Sequence, residues 1–235
     1  MKFRVVTLSD THGFQKEIEM PKGDILVHSG DITDCGEEWQ VRQFLEWLND
    51  LPYERKIFCN GNHEVQIAKM GIMKQLVREN CNKSVVYLEN EAYEYKGLKF
   101  WGSPYSLEFF PEHWGYQLKR QHAKALWDMI PEDTDILLTH SPPKGIMDGV
   151  KPFGIYTEDH AGCNFLLEQT RKINPYLHVF GHIHRWFGTV QRANPAYKTL
   201  YVNASMCDDS YKITRKPIVI DIDTELKTAT VVPYE

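Results

Sequence analysis

The sequence lacks a C-x-x-C pair, and its five cysteines (35, 59, 81, 163 and 207) are odd in number and widely spaced. That argues against both a disulfide framework and a structural zinc site, and for reduced thiols in a cytoplasmic protein. No uninterrupted apolar run approaches the ~18 residues of a membrane span. The apolar stretch after Met1 is too short for a signal peptide and is soon followed by Asp10. Basic charge is not in excess: Lys plus Arg is 27 and Asp plus Glu is 32, a net charge of −5. A binder of long nucleic acid would show a basic field, so neither long nucleic acid nor a membrane is an expected partner. Internal repeats, low-complexity tracts and Gly/Pro/Ser linkers are also missing, and one domain over residues 1–235 is expected. The oligomeric state is left open.

What is present has soluble-globular proportions, with 42% hydrophobic and 25% charged residues. Short apolar runs alternate with helical periods, the pattern of an α/β domain with buried strands. Candidate core strands are Phe3–Leu8, Ile25–His28, Arg55–Cys59, Asp135–Thr139 and Leu177–Phe180. Candidate helices are Glu37–Asn49, Glu64–Glu79, Gln117–Ile130 and residues 160–173, the last ending before Asn174-Pro175. The runs Val85–Leu88, Glu91–Tyr95 and Leu98–Trp101 flank a Lys96-Gly97 turn and predict a hairpin. Strands are expected around 186–191, 198–203, 217–222 and 226–232, with antiparallel pairing towards the C-terminus. Two face-to-face sheets with helices outside accommodate these elements.

Each core strand ends in residues that can bind metal. The first is followed by Asp10-Thr11-His12, the second by Gly30-Asp31 and the third by Asn60-Gly61-Asn62-His63-Glu64. The fourth is followed by His140 and the fifth by Gly181-His182-Ile183-His184. Strand ends of an open α/β sheet converge on one edge, where sites are built. Taken alone, most of these pieces read as turns or as a hydrogen-bonded histidine. Five of them in succession, each directly after a core strand, do not. Carboxylate, amide and imidazole donors suit Mn²⁺, Fe or Zn²⁺. Seven candidate ligands exceed what one tetrahedral ion needs, and two ions sharing a carboxylate use them economically. Two divalent ions facing two carboxylates leave positive charge over, which suits an anionic phosphoester.

The motifs Asp10-x-His12, Gly30-Asp31, Gly61-Asn62-His63-Glu64, His140 and Gly181-His182-x-His184 resemble the calcineurin-like metallophosphoesterase superfamily. The stretches Thr139–Gly145, Leu177–Gly181 and Val202–Ser205 carry a closer likeness to its metallophosphoesterase-domain-containing subgroup. The resemblance implies a four-layer αββα sandwich, two mixed sheets flanked by helices, with two divalent ions, Mn²⁺ first and Fe or Zn²⁺ as alternatives. One ion would be held by Asp10, His12, Asp31 and His184, the other by Asp31, Asn62, His140 and His182. His63 would assist the leaving oxygen and not bind metal. Asp34 would orient His63, the alternative for Asp34 being an N-cap of the helix near Glu37. Cys35 stands where the phosphoprotein phosphatases of this superfamily carry an arginine, so a protein phosphatase is not expected. The implied reaction is hydrolysis of a small phosphodiester, a cyclic nucleotide for example, by attack of a metal-bridging hydroxide. The alternatives are a phosphomonoesterase or nuclease on the same site, or a non-catalytic scaffold with this fold.

The segment Phe100–Tyr116 is rich in aromatics and prolines, without helical period, and is expected as a long loop. Its rings could stack on a nucleobase or merely cover a sheet edge. The loop Pro142–Gly154, with Lys144 and Lys151, is expected near the pocket rim. Arg185 reads as an exposed arginine, and His28 and His178 as satisfied core histidines.

Overall fold

In the computed structural model, which describes residues 1–110, 113–151, 159–191 and 196–233, alternation along each strand assigns its two faces to different layers. In β1 (Lys2–Leu8), Phe3 and Val5 enter a core between two sheets, while Val6 and Leu8 face helices. The same division holds in β2 (Ile25–Ser29) and β3 (Arg55–Cys59), where Val27 and Ile57 point inwards and Leu26 and Phe58 outwards. Burial on both faces explains why these strands read as continuous apolar runs.

The first sheet is completed by β4 (Val85–Tyr87), β13 (Ile218–Asp223) and β14 (Thr228–Val231), in the order β14-β13-β1-β2-β3-β4. Strands β1 to β4 run parallel, whereas β13 is antiparallel to both β1 and β14. The second sheet has the order β11-β12-β10-β9-β6-β5. Its strands are β5 (Glu91–Tyr95), β6 (Leu98–Ser103), β9 (Ile136–Thr139), β10 (Leu177–Phe180), β11 (Gly188–Gln191) and β12 (Leu200–Asn203). Helices α1 (Glu38–Asp50), α2 (Val65–Met70) and α3 (Met73–Asn80) pack on the first sheet. Helices α4 (Arg120–Trp127) and α5 (Asn164–Ile173) cover the second, where Trp127, Ala123 and Leu166 meet Trp101 and Leu137. The architecture is the αββα sandwich. Among the described residues, no helix is long and apolar enough to cross a membrane.

Several local expectations need correction. The stretch 64–79 is two helices, because Gly71 closes α2 in left-handed backbone (φ +66°). Val85–Tyr87 does not join the hairpin. It pairs parallel with β3, with Val85 and Tyr87 buried against the α1–α3 layer and Val86 against the inter-sheet core, leaving β5–β6 as the hairpin. The segment 100–116 is not all loop. It begins in β6 and holds β7 (Ser106–Leu107), paired with β8 (Gln117–Leu118), so α4 starts only at Arg120. Helix α5 starts at Asn164, since the preceding residues bridge to the 143–149 loop, and ends at Asn174 in left-handed backbone. Residues 184–186 form a 3₁₀ turn before β11. Asp34 does not cap α1, whose N-cap position is Glu37. Of the loop Pro142–Gly154, residues 152–154 lie outside the described residues.

Candidate metal centre

The strand-end segments of β1, β2 and β3 bring Asp10, His12, Asp31, Asn62 and His63 from the first sheet. Those of β9 and β10 bring His140, His182 and His184 from the second. Four of these residues sit in left-handed backbone without being glycine: Asp10 (φ +50°), His12 (+45°), Asp31 (+53°) and His182 (+67°). Each such residue is strained by on the order of 1–3 kcal/mol and persists only where its surroundings over-determine it. At three of them the backbone amide does so. Asp10 N donates to the Gly30 carbonyl (2.9 Å), His12 N to the Asp31 carbonyl (3.0 Å), and His182 N to both Asp10 carboxylate oxygens (3.0 and 3.1 Å). The turns re-aim side chains that a continuing strand would bury.

The donors form three overlapping groups: Asp10, His12 and His184; His12, Asp31 and His63; Asp31, His140 and His182. Within each, one donor atom per residue lies within 4.8 Å of the others. Backbone carbonyls set the tautomers of His140 and His184. His140 Nδ1 lies 2.9 Å from the Ser29 carbonyl, so Nδ1 carries the proton. In the neutral ring the Nε2 lone pair then faces Asn62 Oδ1 at 2.9 Å and Asp31 Oδ2 at 3.3 Å. His184 repeats the device. Its Nδ1 donates to the Asp208 carbonyl (3.0 Å), which turns Nε2 towards Asp10 Oδ1 (3.3 Å) and His12 Nε2 (3.2 Å). With both Nε2 atoms unprotonated, lone pairs converging at these distances in a buried place favour a cation between them. The oxygen and imidazole donor set fits a divalent transition ion.

The electrostatics agree. Burial disfavours charge on Asp31, yet His140, His63 and His12 hold its carboxyl well below the usual carboxylate range. Asp10 is depressed likewise, its burial outweighed by His184 and His140. Burial lowers His12 to about 4 and His182 to about 3, which leaves both neutral and able to ligate. His140 is also disfavoured by burial, but Asp31 carries it up to about 9. A positive charge is therefore wanted between His140 and Asp31, whether proton or metal.

Asp34 touches His63 through its backbone. The Asp34 carbonyl accepts from His63 Nδ1 at 2.6 Å, while the carboxylate lies 4.0 Å away on a side chain that is 70% exposed. His63 N in turn donates to Asp31 Oδ1 (2.9 Å). Gly61 lets these groups close up: a Cβ there would stand 2.3 Å from Asp31 Oδ1 and 2.6 Å from His140 Cε1. Arg185 is exposed and pairs with Asp209 (2.8 Å). His28 and His178 lie in the core beside Thr11 (3.1 Å) and Thr139 (2.8 Å).

Residues with no role assigned from the sequence also shape the site. Glu64 is fully buried and accepts from Gly61 N (2.6 Å), Thr33 N (3.0 Å) and Thr33 Oγ1 (2.8 Å), fixing the Asn60–His63 turn; burial and Asp31 push its pKa up to about 8. Its place as the fourth residue of Gly-Asn-His-Glu was the available signal. Ser205 Oγ donates to Asp10 Oδ2 (2.8 Å), and Asp208 orients His184. Asp148 ties the 142–151 loop by accepting from Gly145 N (2.9 Å), Gly162 N (3.2 Å) and His160 Nδ1 (2.8 Å). An open cavity of about 600 Å³ lies over the donors and is walled by Phe109, Trp114 and Tyr211, with Lys151 and Arg185 also lining it.

The sequence profile of the calcineurin-like phosphoesterase family matches residues 3–186, which contain every candidate ligand. The chain belongs to the calcineurin-like phosphoesterase family. It is 38% identical over 242 residues to human metallophosphoesterase domain-containing protein 1, covering 94% of this chain and 71% of that protein. Among solved structures, phosphopantetheinyl hydrolase from Mycobacterium tuberculosis superposes with a TM-score of 0.64 at 16% identity, over 98% of this chain and 96% of that one. The Thermus thermophilus protein TT1561 superposes with a TM-score of 0.62 at 12% identity, over 99% of each. These two likenesses concern the fold. Family membership and the converging donors make this calcineurin-like phosphoesterase a metal-dependent phosphoester hydrolase.

Proposed function

We propose that the chain is a phosphodiesterase that hydrolyses a small phosphoester, such as a cyclic nucleotide, with two divalent ions at this centre, Mn²⁺ being the first choice. The observation that carries the reading is the convergence of imidazole and amide donors around two buried carboxylates beneath an open cavity. Asp10, His12, Asp31 and His184 would hold one ion; Asp31, Asn62, His140 and His182 would hold the other. When bound, the ions supply a hydroxide nucleophile near neutral pH and neutralise the phosphoryl oxygens. The chain's own contribution is orientation and proton transfer. The Ser29 and Asp208 carbonyls fix which nitrogen of His140 and His184 is free. The Asp34 carbonyl holds the Nδ1 proton of His63, which leaves Nε2 to carry a second proton to the departing alkoxide. Phe109, Trp114 and Tyr211 line the approach to the donors.

The test is hydrolysis of bis-p-nitrophenyl phosphate beside p-nitrophenyl phosphate, with Mn²⁺ returned to chelator-stripped protein. Preference for the diester, abolished in Asp31→Asn, is expected. Preference for the monoester would move the activity to phosphomonoesters. Silence on both substrates with metal bound would favour a non-catalytic role. His63→Ala should lower turnover and leave metal content intact; equal loss of metal would make His63 a ligand.

A further inference from the structure

Tyr211 combines two features that ordinary packing does not explain. It holds a bulky side chain in left-handed backbone (φ +59°), and it is 43% exposed. A ring that only filled a gap in the fold would be buried and would not need a strained turn. Specific hydrogen bonds hold the turn. Tyr211 N donates to the Asp208 carbonyl (3.0 Å), and Asp208 Oδ1 accepts from Ser210 N (2.8 Å) and Lys212 N (3.2 Å). The same Asp208 carbonyl accepts from His184 Nδ1. One peptide group therefore sets both a ligand's tautomer and the position of the ring. The Tyr211 ring centroid lies 4.7 Å from that of His12, 5.3 Å from His184 and 5.8 Å from His63.

Trp114 is the counterpart. Its ring lies 4.4 Å from His63 and stacks at 30° on Phe109, which reaches His182 at 5.3 Å. Its segment is also pinned to a candidate ligand, because Gly115 N donates to the Asn62 carbonyl (2.8 Å). Two aromatic walls thus line the cavity over the donors, Tyr211 through the Asp208 carbonyl that it shares with His184 Nδ1 and Trp114 through the neighbouring Gly115 N bond to Asn62.

We propose that Tyr211 and Trp114 are specificity-determining residues that grip a flat, ring-bearing group of the phosphoester held at the centre. The inference rests on the phosphoesterase reading and narrows its substrates to phosphoesters whose organic part carries an aromatic or heteroaromatic ring. Neither side chain supplies a candidate ligand atom, so their contribution falls on the organic part of the substrate. Stacking of one ring on an aromatic wall corresponds to about a tenfold preference.

The test compares calorimetric binding of phenylphosphonate and methylphosphonate to Mn²⁺-supplied protein. Neither compound can be hydrolysed at its carbon–phosphorus bond, and they differ by the ring. The wild type should bind the phenyl compound about tenfold more tightly. That ratio should fall towards one in Tyr211→Asn, which suits the left-handed turn, and in Trp114→Leu. Tyr211→Phe should keep it. A wild-type ratio near one, an unchanged ratio in both ring-removing variants, or its loss in Tyr211→Phe would overturn the assignment. If neither phosphonate bound to the wild type, the phosphoester reading itself would fall and the inference with it.

Discussion

Gly181→Ala is expected to dislodge a candidate metal ligand by a single methyl group. The φ angle of Gly181 lies outside the left-handed region, so alanine suffers no backbone strain there. Space is the obstacle. The added Cβ would stand 1.9 Å from Asp10 Oδ2, 2.1 Å from Ser9 Oγ and 2.7 Å from Ser9 Cβ. Asp10 is fully buried and short, and its Oδ2 is already engaged by Ser205 Oγ at 2.8 Å, so it has no free rotamer into which to retreat. Overpacking of this kind costs about 1–3 kcal/mol. Loss of the hydrogen bond to a carboxylate adds about 1.5–3 kcal/mol. Together they give a destabilisation of about 2.5–6 kcal/mol, or a fall in Tm on the order of 10 °C for a chain of this size. Displacing Asp10 should also weaken Mn²⁺ binding at the Asp10–His12–His184 group by about 10–100-fold, the range seen when a ligand's support is removed. Calorimetric titration of chelator-stripped protein measures the second effect, and thermal melting the first. Gly71→Ala is the matched opposite: nothing lies within 4 Å of its added Cβ, but φ is +66°. It should lose about 1–2 kcal/mol of stability and no metal affinity. Wild-type metal affinity in Gly181→Ala would refute the claim that close approach of this backbone fixes Asp10.

Asp34→Asn should change kcat/KM by less than about threefold, because the hydrogen bond to His63 comes from the Asp34 carbonyl and not its exposed carboxylate; a hundredfold loss would show that the carboxylate, after all, positions His63. Burial holds His178 at a pKa of about 3, so the imidazole stays neutral in the fold while the unfolded chain takes up a proton below about pH 6.5. The unfolded state then binds more protons between those values, and stability falls as pH falls: lowering pH from 7 to 5 removes about 2 kcal/mol through this one group. In urea titrations with chelator present, His178→Phe should show a pH 7-to-5 drop smaller by that amount, and an equal drop would exclude His178 as a contributor. Chelation alone should lower Tm, since metal at one hundred times its Kd adds about 2.7 kcal/mol, or about 5–10 °C; an unchanged Tm after verified metal removal would contradict a cation between the sheets.

The strands β3 and β10 were legible to the residue because both of their faces are buried, one against the opposite sheet and one against helices, which leaves an apolar run with sharp polar ends. The candidate ligands were legible for the same reason: each follows directly on such a run. Elements whose existence depends on a distant partner were not. Val85–Tyr87 carries a hairpin-like pattern, and only the presence of β3 and the α1–α3 layer assigns it to the first sheet. The two-residue strands β7 and β8 are too short to leave a period. The left-handed turns at Asp10, His12, Asp31 and His182 were hidden because the usual marker, glycine, is absent where the side chain itself is needed. Tyr211 left no signal at all. Its partners His12, His63 and His184 are spread along most of the chain, and no local pattern encodes a turn that folds back onto a site built elsewhere.

The arrangement also explains why a site this costly to assemble sits at the seam of the sandwich. Asp10 and His12 come from the first sheet and His184 from the second; Asp31 comes from the first, and His140 and His182 from the second. Two of the three donor groups therefore span the seam, while the third, His12, Asp31 and His63, lies within the first sheet. Their spacing is set by the shared core, where Val5, Val27 and Ile57 meet Leu138, Val179 and Val202. Five imidazoles and two carboxylates gathered in a buried region would otherwise be held together against unfavourable desolvation and lone-pair repulsion. A cation bound across the seam would offset that cost, and would do so only with both sheets in place. Metal affinity and inter-sheet packing are then two readings of one coupled free energy.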